Sequence, residues 1–368
     1  MSDDDLPEAD AAEGAPHPRH TAEVFGQDDA ERAVLTALGE GRRHHAWLLT
    51  GPRGVGKASF AWRLARYLRT EENAGPGLFG DPEPATSLDV SPDHPVARQM
   101  AALADPGTLL IRRAWDPDRK RLKAQITVDE VRKLNSFFGL SATDGGSRVV
   151  IIDSADEMNS SAANALLKVL EEPPAKAVLL LVSHQPARLL PTIRSRCRLL
   201  RFAPLGSDDL TAALSQAGVD VPDSAALTEL AGGSAGDALR LITGDGLTIY
   251  QEVMELFASA PQMDRQAARR FAEAAAARGA EARLDLSLRL LDLALVRLAR
   301  RAAGHATPQD AAPKEGEVFG KLGAVPARRW AELQQSLSAR LGHGMAVNVD
   351  PSSLIMDALL QINAAART

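Results

Sequence analysis

Short apolar runs alternate with amphipathic stretches from residue 46 to residue 203. Residues 46–50 (Ala-Trp-Leu-Leu-Thr) and 177–183 (Ala-Val-Leu-Leu-Leu-Val-Ser) carry no polar alternation, the form of strands buried on both faces. Residues 148–153 give another such run, closed by an acid, and weaker strand patterns fall near 108–112 and 198–202. Between them, Phe60, Ala61, Leu64, Ala65 and Leu68 recur at helical spacing, as do Ala163, Leu166, Leu167 and Leu170 ahead of Pro173-Pro174. A further helix is expected over 128–140, after a charged hairpin-like stretch at 116–123. Strands alternating with helices predict an α/β domain built on a parallel sheet.

From Ser207 the pattern turns wholly helical. Short helices run to about residue 245, broken at Gly232-Gly233; a second block covers about 248–302. A linker bearing Gly and Pro is expected over 303–326, followed by two last helices. Residues 1–20 are acidic, rich in Pro and Ala and without periodicity, so they are expected to be a disordered tail. Residues 74–95 read as a loop rich in Pro, Gly and acid.

Composition narrows the classes. The 368 residues are too many for one core. A net charge of −6 argues against wholesale coating of nucleic acid. The single cysteine, Cys197, excludes an internal disulfide and a four-cysteine zinc site, and suits a reducing cytoplasm. Burial is the simpler role for it than nucleophilic chemistry, since no histidine partner accompanies it. The acidic start has no apolar core, so it does not read as a signal peptide. The apolar helix near 284–298 is interrupted by Arg289, Asp292 and Arg297 and is too polar to span a bilayer. The pair His44-His45 has no third ligand nearby and reads as local structure rather than a metal site.

The chemistry centres on Gly51-Pro-Arg-Gly-Val-Gly-Lys-Ala58, between a predicted strand and a predicted helix. Glycines there let backbone amides turn around a phosphate, and the helix N-terminus adds its dipole. Gly51, Gly54, Gly56 and Lys57 are the candidate phosphate ligands. The motif calls for Ser or Thr at position 58 to hold Mg²⁺, and Ala58 has no oxygen to give. Ser59 points about 100° away around the helix. Asp153, at a strand end, reads as the metal-side acid. Ser154 follows it where a hydrolase needs a general base; losing a positioned base costs about 10²–10⁴ in rate. Asp156 and Glu157 are the remaining acids in reach, beyond the expected strand end.

Asn164-Ala-Leu-Leu-Lys-Val-Leu-Glu-Glu-Pro-Pro174 and Leu190-Pro-Thr-Ile-Arg-Ser-Arg-Cys197 resemble the AAA+ subunits of bacterial DNA polymerase III clamp loaders. Val24-Phe-Gly-Gln27 and the stretch 45–52 fit the same family, and the likeness runs from about 22 to 240. It implies an AAA+ P-loop domain (21–204), a helical lid (205–246) and a helical collar for oligomerisation (247–368). It further implies Ser183 as the sensor-1 position and Arg196 as an arginine finger reaching a neighbour's nucleotide. The lid's second sensor is normally Arg, and Gly236 stands there. With positions 58, 154 and 236 all departing, the chain resembles a non-hydrolysing member of the family. The alternative is an active AAA+ ATPase of the gamma/tau type with a non-standard metal site. ATP is the implied cofactor, with two alternatives open: it is bound without hydrolysis, or it is not bound. No zinc is expected, because the family's cysteine module is absent from 70–107. The implied partners are other clamp-loader subunits of gamma/tau and delta type and, through the complex, the sliding clamp and primed DNA; no membrane partner is expected.

Overall fold

The computed structural model describes residues 7–11, 14–40, 44–71, 85–139, 146–221, 224–305 and 309–367. These fall into two compact units. The first takes residues 1–219 with 234–236, and the second takes 220–233 with 237–368.

The first unit opens with helix α1 (Asp28–Gly39), strand β1 (Ala46–Thr50), helix α2 (Lys57–Glu71) and helix α3 (Pro95–Ala101). Strand β2 (Thr108–Ile111) leads into a small hairpin of β3 (Trp115–Asp116) and β4 (Arg121–Leu122), then helix α4 (Val128–Gly139). Strand β5 (Arg148–Ile152), helix α5 (Ser160–Glu171), strand β6 (Ala177–Ser183), helix α6 (Pro191–Arg196), strand β7 (Arg198–Arg201) and helix α7 (Ser207–Gln216) complete it.

The sheet order is β2-β5-β6-β1-β7, with every pair parallel. This is the α/β parallel sheet that the alternation of patterns predicted. Its unbroken apolar runs follow from burial on both faces. Trp47 and Leu49 of β1, Val149 and Ile151 of β5, and Val178, Leu180 and Val182 of β6 enter one core beneath α1 and α2. Ala46, Leu48, Val150, Ile152, Leu179 and Leu181 enter the other, against α4 and α5. With no water on either side, no polar residue is selected for at alternate positions.

The second unit is all helical: α8 (Ser224–Ala231), α9 (Ala235–Thr243), α10 (Gly246–Ala258), α11 (Arg265–Ala275), α12 (Glu281–Ala302), α13 (Glu315–Leu322), α14 (Ala327–Ala346) and α15 (Pro351–Ala365). Helix α12 packs against α10, α13 and α14. Among the described residues no helix is long and apolar enough to cross a membrane.

Three local expectations differ from the structure. The linker at 303–326 contains α13; its Gly316 and Gly320 suggest a loop, but Val318, Phe319 and Leu322 are buried together and hold it helical. Residues 188–194, which read in the sequence as a short connection between two strands, contain most of α6, which Pro191 starts and buried Ile193 anchors. The tail at 1–20, expected to be disordered, is placed where it is described. Glu8 pairs with Arg19 and Arg112 at 2.8 Å each, and Arg66 donates to the carbonyls of Arg19 and Thr21. Residues 74–84 of the loop expected over 74–95 lie outside the described residues.

The two compact units divide the chain at other places than the three parts that the resemblance implies. Helix α7 groups with the sheet, while α8 and most of α9 group with the helices after 246. Ion pairs explain the second grouping: Glu229 and Asp237 are bound by Arg297 and Arg289 of α12, at 2.9 and 2.8 Å.

Candidate functional site

The C-terminal ends of β1, β5 and β6 carry the phosphate loop, Asp153 and Ser183 to one edge of the sheet. Thr50 pairs with Ser183 in the β1–β6 register, and the amide of Asp153 donates to the carbonyl of Ile111 on β2 at 2.9 Å. This edge is where open α/β sheets bind ligands, because the following helices begin there with free amides. Gln27 steadies the loop from outside. Its side-chain amide donates to the carbonyls of Val55 (3.1 Å) and Ala203 (2.9 Å), which gives the Val24–Gln27 motif a structural task.

The loop is closed on itself. Lys57, 2% exposed, donates its ammonium to the carbonyls of Gly51 (2.7 Å) and Pro52. Burial pulls its pKa down to about 8, against the opposing pull of Asp153 and Asp156. Gly54 has φ of +71°, and a Cβ there would lie 2.2 Å from Ser234 Oγ and 2.8 Å from the amide nitrogen of Gly236. The loop's outer surface is thus covered by Ser234–Gly236, and only glycine fits. Gly51 and Gly56 also take positive φ.

The metal side is equally altered. Ala58 offers no oxygen. Asp153 is buried, and burial, reinforced by the negative charges of Asp10 and Glu157, lifts its pKa to about 7. Ser154 sits in the left-handed region at φ of 55° and donates weakly to Asp153 Oδ2 at 3.4 Å; its Oγ also lies 3.2 Å from His184 Nε2. Burial, with Lys57 and Arg53 nearby, holds His184 down to about 4, so its imidazole is neutral at pH 7. The other two acids are engaged. Glu157 meets Arg53 at 2.8 Å and Arg113 at 2.7 Å, and Asp156 accepts the backbone amide of His184 at 2.9 Å. Ser183 is fully buried, and among the described residues its hydroxyl has no partner.

These residues fit ATP in part only. The glycines and Lys57 have the donor chemistry for phosphate, but Lys57 is bound to the loop's own carbonyls. The Mg²⁺ half does not fit: it has no hydroxyl at position 58 and a carboxyl that keeps its proton to near neutrality. Among the described residues no cluster of His, Cys, Asp and Glu is arranged to hold a metal ion.

Arg196 stands apart from this group. It ends α6, with its side chain 35% exposed; one guanidinium nitrogen meets Glu171 at 2.8 Å and the other donates to the Thr192 carbonyl at 3.1 Å. The structure therefore brings together Gly51, Gly54, Gly56, Lys57, Asp153 and Ser183, and does not bond Arg196 to any of them. Neighbouring Cys197 is pushed up to about 12 by burial, so it is a thiol at neutral pH.

Sequence reasoning missed His184 and the leader carboxylates Glu8 and Asp10. His184 directly follows Ser183, which was a usable signal. Nothing in the leader's composition pointed to Arg112.

Comparison with known proteins gives these findings. The family described as DNA polymerase III, delta subunit, matches residues 26–206. Over 215 residues the chain is 40% identical to DNA polymerase III subunit delta' of Pseudomonas aeruginosa, covering 57% of this chain and 60% of that one. It is 31% identical over 233 residues to subunit delta' of Escherichia coli, covering 63% and 64%. It is 29% identical over 349 residues to subunit gamma/tau of Mycobacterium bovis, covering 87% and 57%. The chain thus spans less than two thirds of the length of each of these relatives.

Proposed function

We propose that this chain, similar to the delta' subunits of DNA polymerase III, serves in the clamp loader without turning over ATP itself. It presents Arg196 to the ATP site of an adjacent gamma/tau-type subunit while the assembly places a sliding clamp on primed DNA. Its own phosphate loop is a structural turn that seats α2 on the sheet.

The observation that carries this reading is the contrast between Lys57 and Arg196. Lys57 is buried and spends its charge on the carbonyls of its own loop. Arg196 is held by one half-exposed carboxylate, Glu171. An exposed ion pair of that kind is worth about 0–1 kcal/mol, so the guanidinium can leave it at little cost. A guanidinium stays charged and binds phosphate oxygens in a planar fork, which an ammonium cannot reproduce.

The test is reconstitution with gamma/tau- and delta-type subunits from the same cell. Arg196→Ala is expected to assemble normally but slow the DNA- and clamp-stimulated ATPase, and Arg196→Lys to restore little. A finger supplied in trans contributes about 10³–10⁵ at its own site; the other ATP sites of the complex make the measured loss smaller. Full activity with the alanine form refutes the finger, and failure of the wild-type chain to co-elute refutes the subunit role.

A further inference from the structure

Helix α5 ends on a carboxylate. Glu171 is its last residue and Glu172 its C-cap, Pro173 and Pro174 follow, and Lys168 is the basic residue of the last turn. The carbonyl end of a helix is the negative pole of its dipole, so two acids there have the wrong sign for helix stability. Such a placement calls for a cation, and the structure supplies one to Glu171 alone. Arg196 Nη2 meets Glu171 Oε1 at 2.8 Å, whereas among the described residues no Lys, Arg or His forms an ion pair with Glu172.

The backbones on either side of this pair are fixed. Leu170, one residue before Glu171, and Ile193, three before Arg196, are buried in the same core beneath α4 and α5. Only the two side chains, both reaching solvent, are free to change partner. The finger is folded back in this arrangement. Its other terminal nitrogen, Nη1, donates to the Thr192 carbonyl of its own helix at 3.1 Å. Both ends of the guanidinium fork are thus spent within the chain, and the edge that grips phosphate oxygens in pairs is occupied.

We propose that Glu171 parks Arg196, holding it away from the neighbour's ATP site until phosphoryl oxygens there compete for the guanidinium. Parking presupposes Arg196 as the finger and adds what restrains it. A half-exposed carboxylate suits the task. It brings one screened negative charge against the several of a triphosphate, so the guanidinium exchanges one for the other. A neutral acceptor would leave the finger free at all times, and a buried carboxylate would not release it. Glu171 is therefore a positioning residue, acting on the reaction only through Arg196.

The experiment reconstitutes the complex with gamma/tau- and delta-type subunits from the same cell and measures its ATPase with and without clamp and primed DNA. Compared with the wild-type chain are Glu171→Gln, Glu172→Gln, Arg196→Ala and the double variant Glu171→Gln with Arg196→Ala. An exposed ion pair biases an equilibrium by at most about fivefold, so Glu171→Gln is expected to raise the unstimulated kcat about two- to fivefold. KM for ATP should stay unchanged, because a finger acts on the transition state. The fully stimulated rate should also stay, since the finger is already released there. Glu172→Gln removes the same charge from the same helix end without a partner, and is expected to match the wild type. The double variant should fall to the rate of Arg196→Ala, which a merely structural role of Glu171 would not require. Thermal melting and co-elution check folding and assembly; loss of either in Glu171→Gln would make Glu171 a structural contact and overturn parking. An unstimulated rate equal to wild type in Glu171→Gln, with Arg196→Ala slow, overturns parking and leaves the finger standing. Full activity in Arg196→Ala overturns both. A rise shared by Glu172→Gln also overturns parking, because it assigns the effect to the helix dipole.

Discussion

The backbone amide of Gly236 faces the carbonyl of Gly54 at 3.4 Å, so the position where the resemblance implied a sensing arginine lies directly on the phosphate loop. A Cβ built on Gly236 would come within 3.3 Å of Gly54 Cα, and one on Gly54 within 2.8 Å of the Gly236 nitrogen. Two backbones meet here where other sequences would need room for side chains. Gly54→Ala must therefore strain a left-handed residue and push Ser234–Gly236 away. It is expected to cost about 1–3 kcal/mol, read as a lower urea midpoint. An unchanged midpoint would mean that the contact is loose.

The isolated chain is expected to show no ATP turnover above background, since Ala58, Ser154 and Gly236 each lack the group that the reaction needs. Lys57→Ala should leave the measured rate at that same background, because the groups missing at 58, 154 and 236 are absent with or without the lysine, whose ammonium donates to the carbonyls of Gly51 and Pro52. Turnover at the rate of an ordinary motor ATPase, abolished by that substitution, would instead establish the alternative of an active gamma/tau-type enzyme.

Asp153 gives a pH dependence with a definite sign. Its pKa is raised to about 7 by burial, against about 3.9 in an unfolded chain. Between those values the folded state holds a proton that the unfolded state has released, so stability falls as pH rises through the window. The contribution is complete below about pH 4 and lost above about pH 7. Asp153→Asn removes the ionisable group and is expected to stabilise the protein at pH 8, by up to a few kcal/mol, with little effect at pH 4. Urea denaturation of both proteins across that range checks it; parallel curves would show that Asp153 ionises freely.

In the second unit, Arg297 binds Glu315 at 2.7 Å, Glu229 at 2.9 Å and the Gln309 carbonyl at 2.7 Å, while Tyr250 donates to Glu315 at 2.7 Å. Glu315 is 1% exposed. Removing one partner of a buried pair strands the other's charge, so Arg297→Ala is expected to destabilise by about 3–5 kcal/mol. Arg297→Met with Glu315→Gln should recover part of that loss. Equal melting temperatures for the single and double variants would show that the stranded carboxylate is not the cause of the loss.

Much was legible in the sequence because it is local. The runs at 46–50, 148–153 and 177–183 name their strands by composition alone, since a strand covered on both faces admits only apolar residues. The glycines and Lys57 name the loop, and Ala58 and Ser154 name what it has lost, because each depends only on residue type at a fixed step along the chain. Other facts were decided by tertiary structure, because they join residues far apart. No spacing rule connects Gly236 with Gly54, Asp10 with Arg112 and Asp153, or Glu315 with Arg297; each pairing exists only once the intervening chain has folded. The short α6 and α13 were hidden for a related reason. Helix α6 is only six residues long, too short to show a period, and Gly316 and Gly320 speak against helix locally; burial of Ile193, Val318 and Phe319 holds both helices in place. The sequence by itself determined the sheet, the loop and its missing groups. Only the folded chain decided that the loop is closed by its own carbonyls and covered by Gly236, because closure depends on distances across the fold and not on order along the chain.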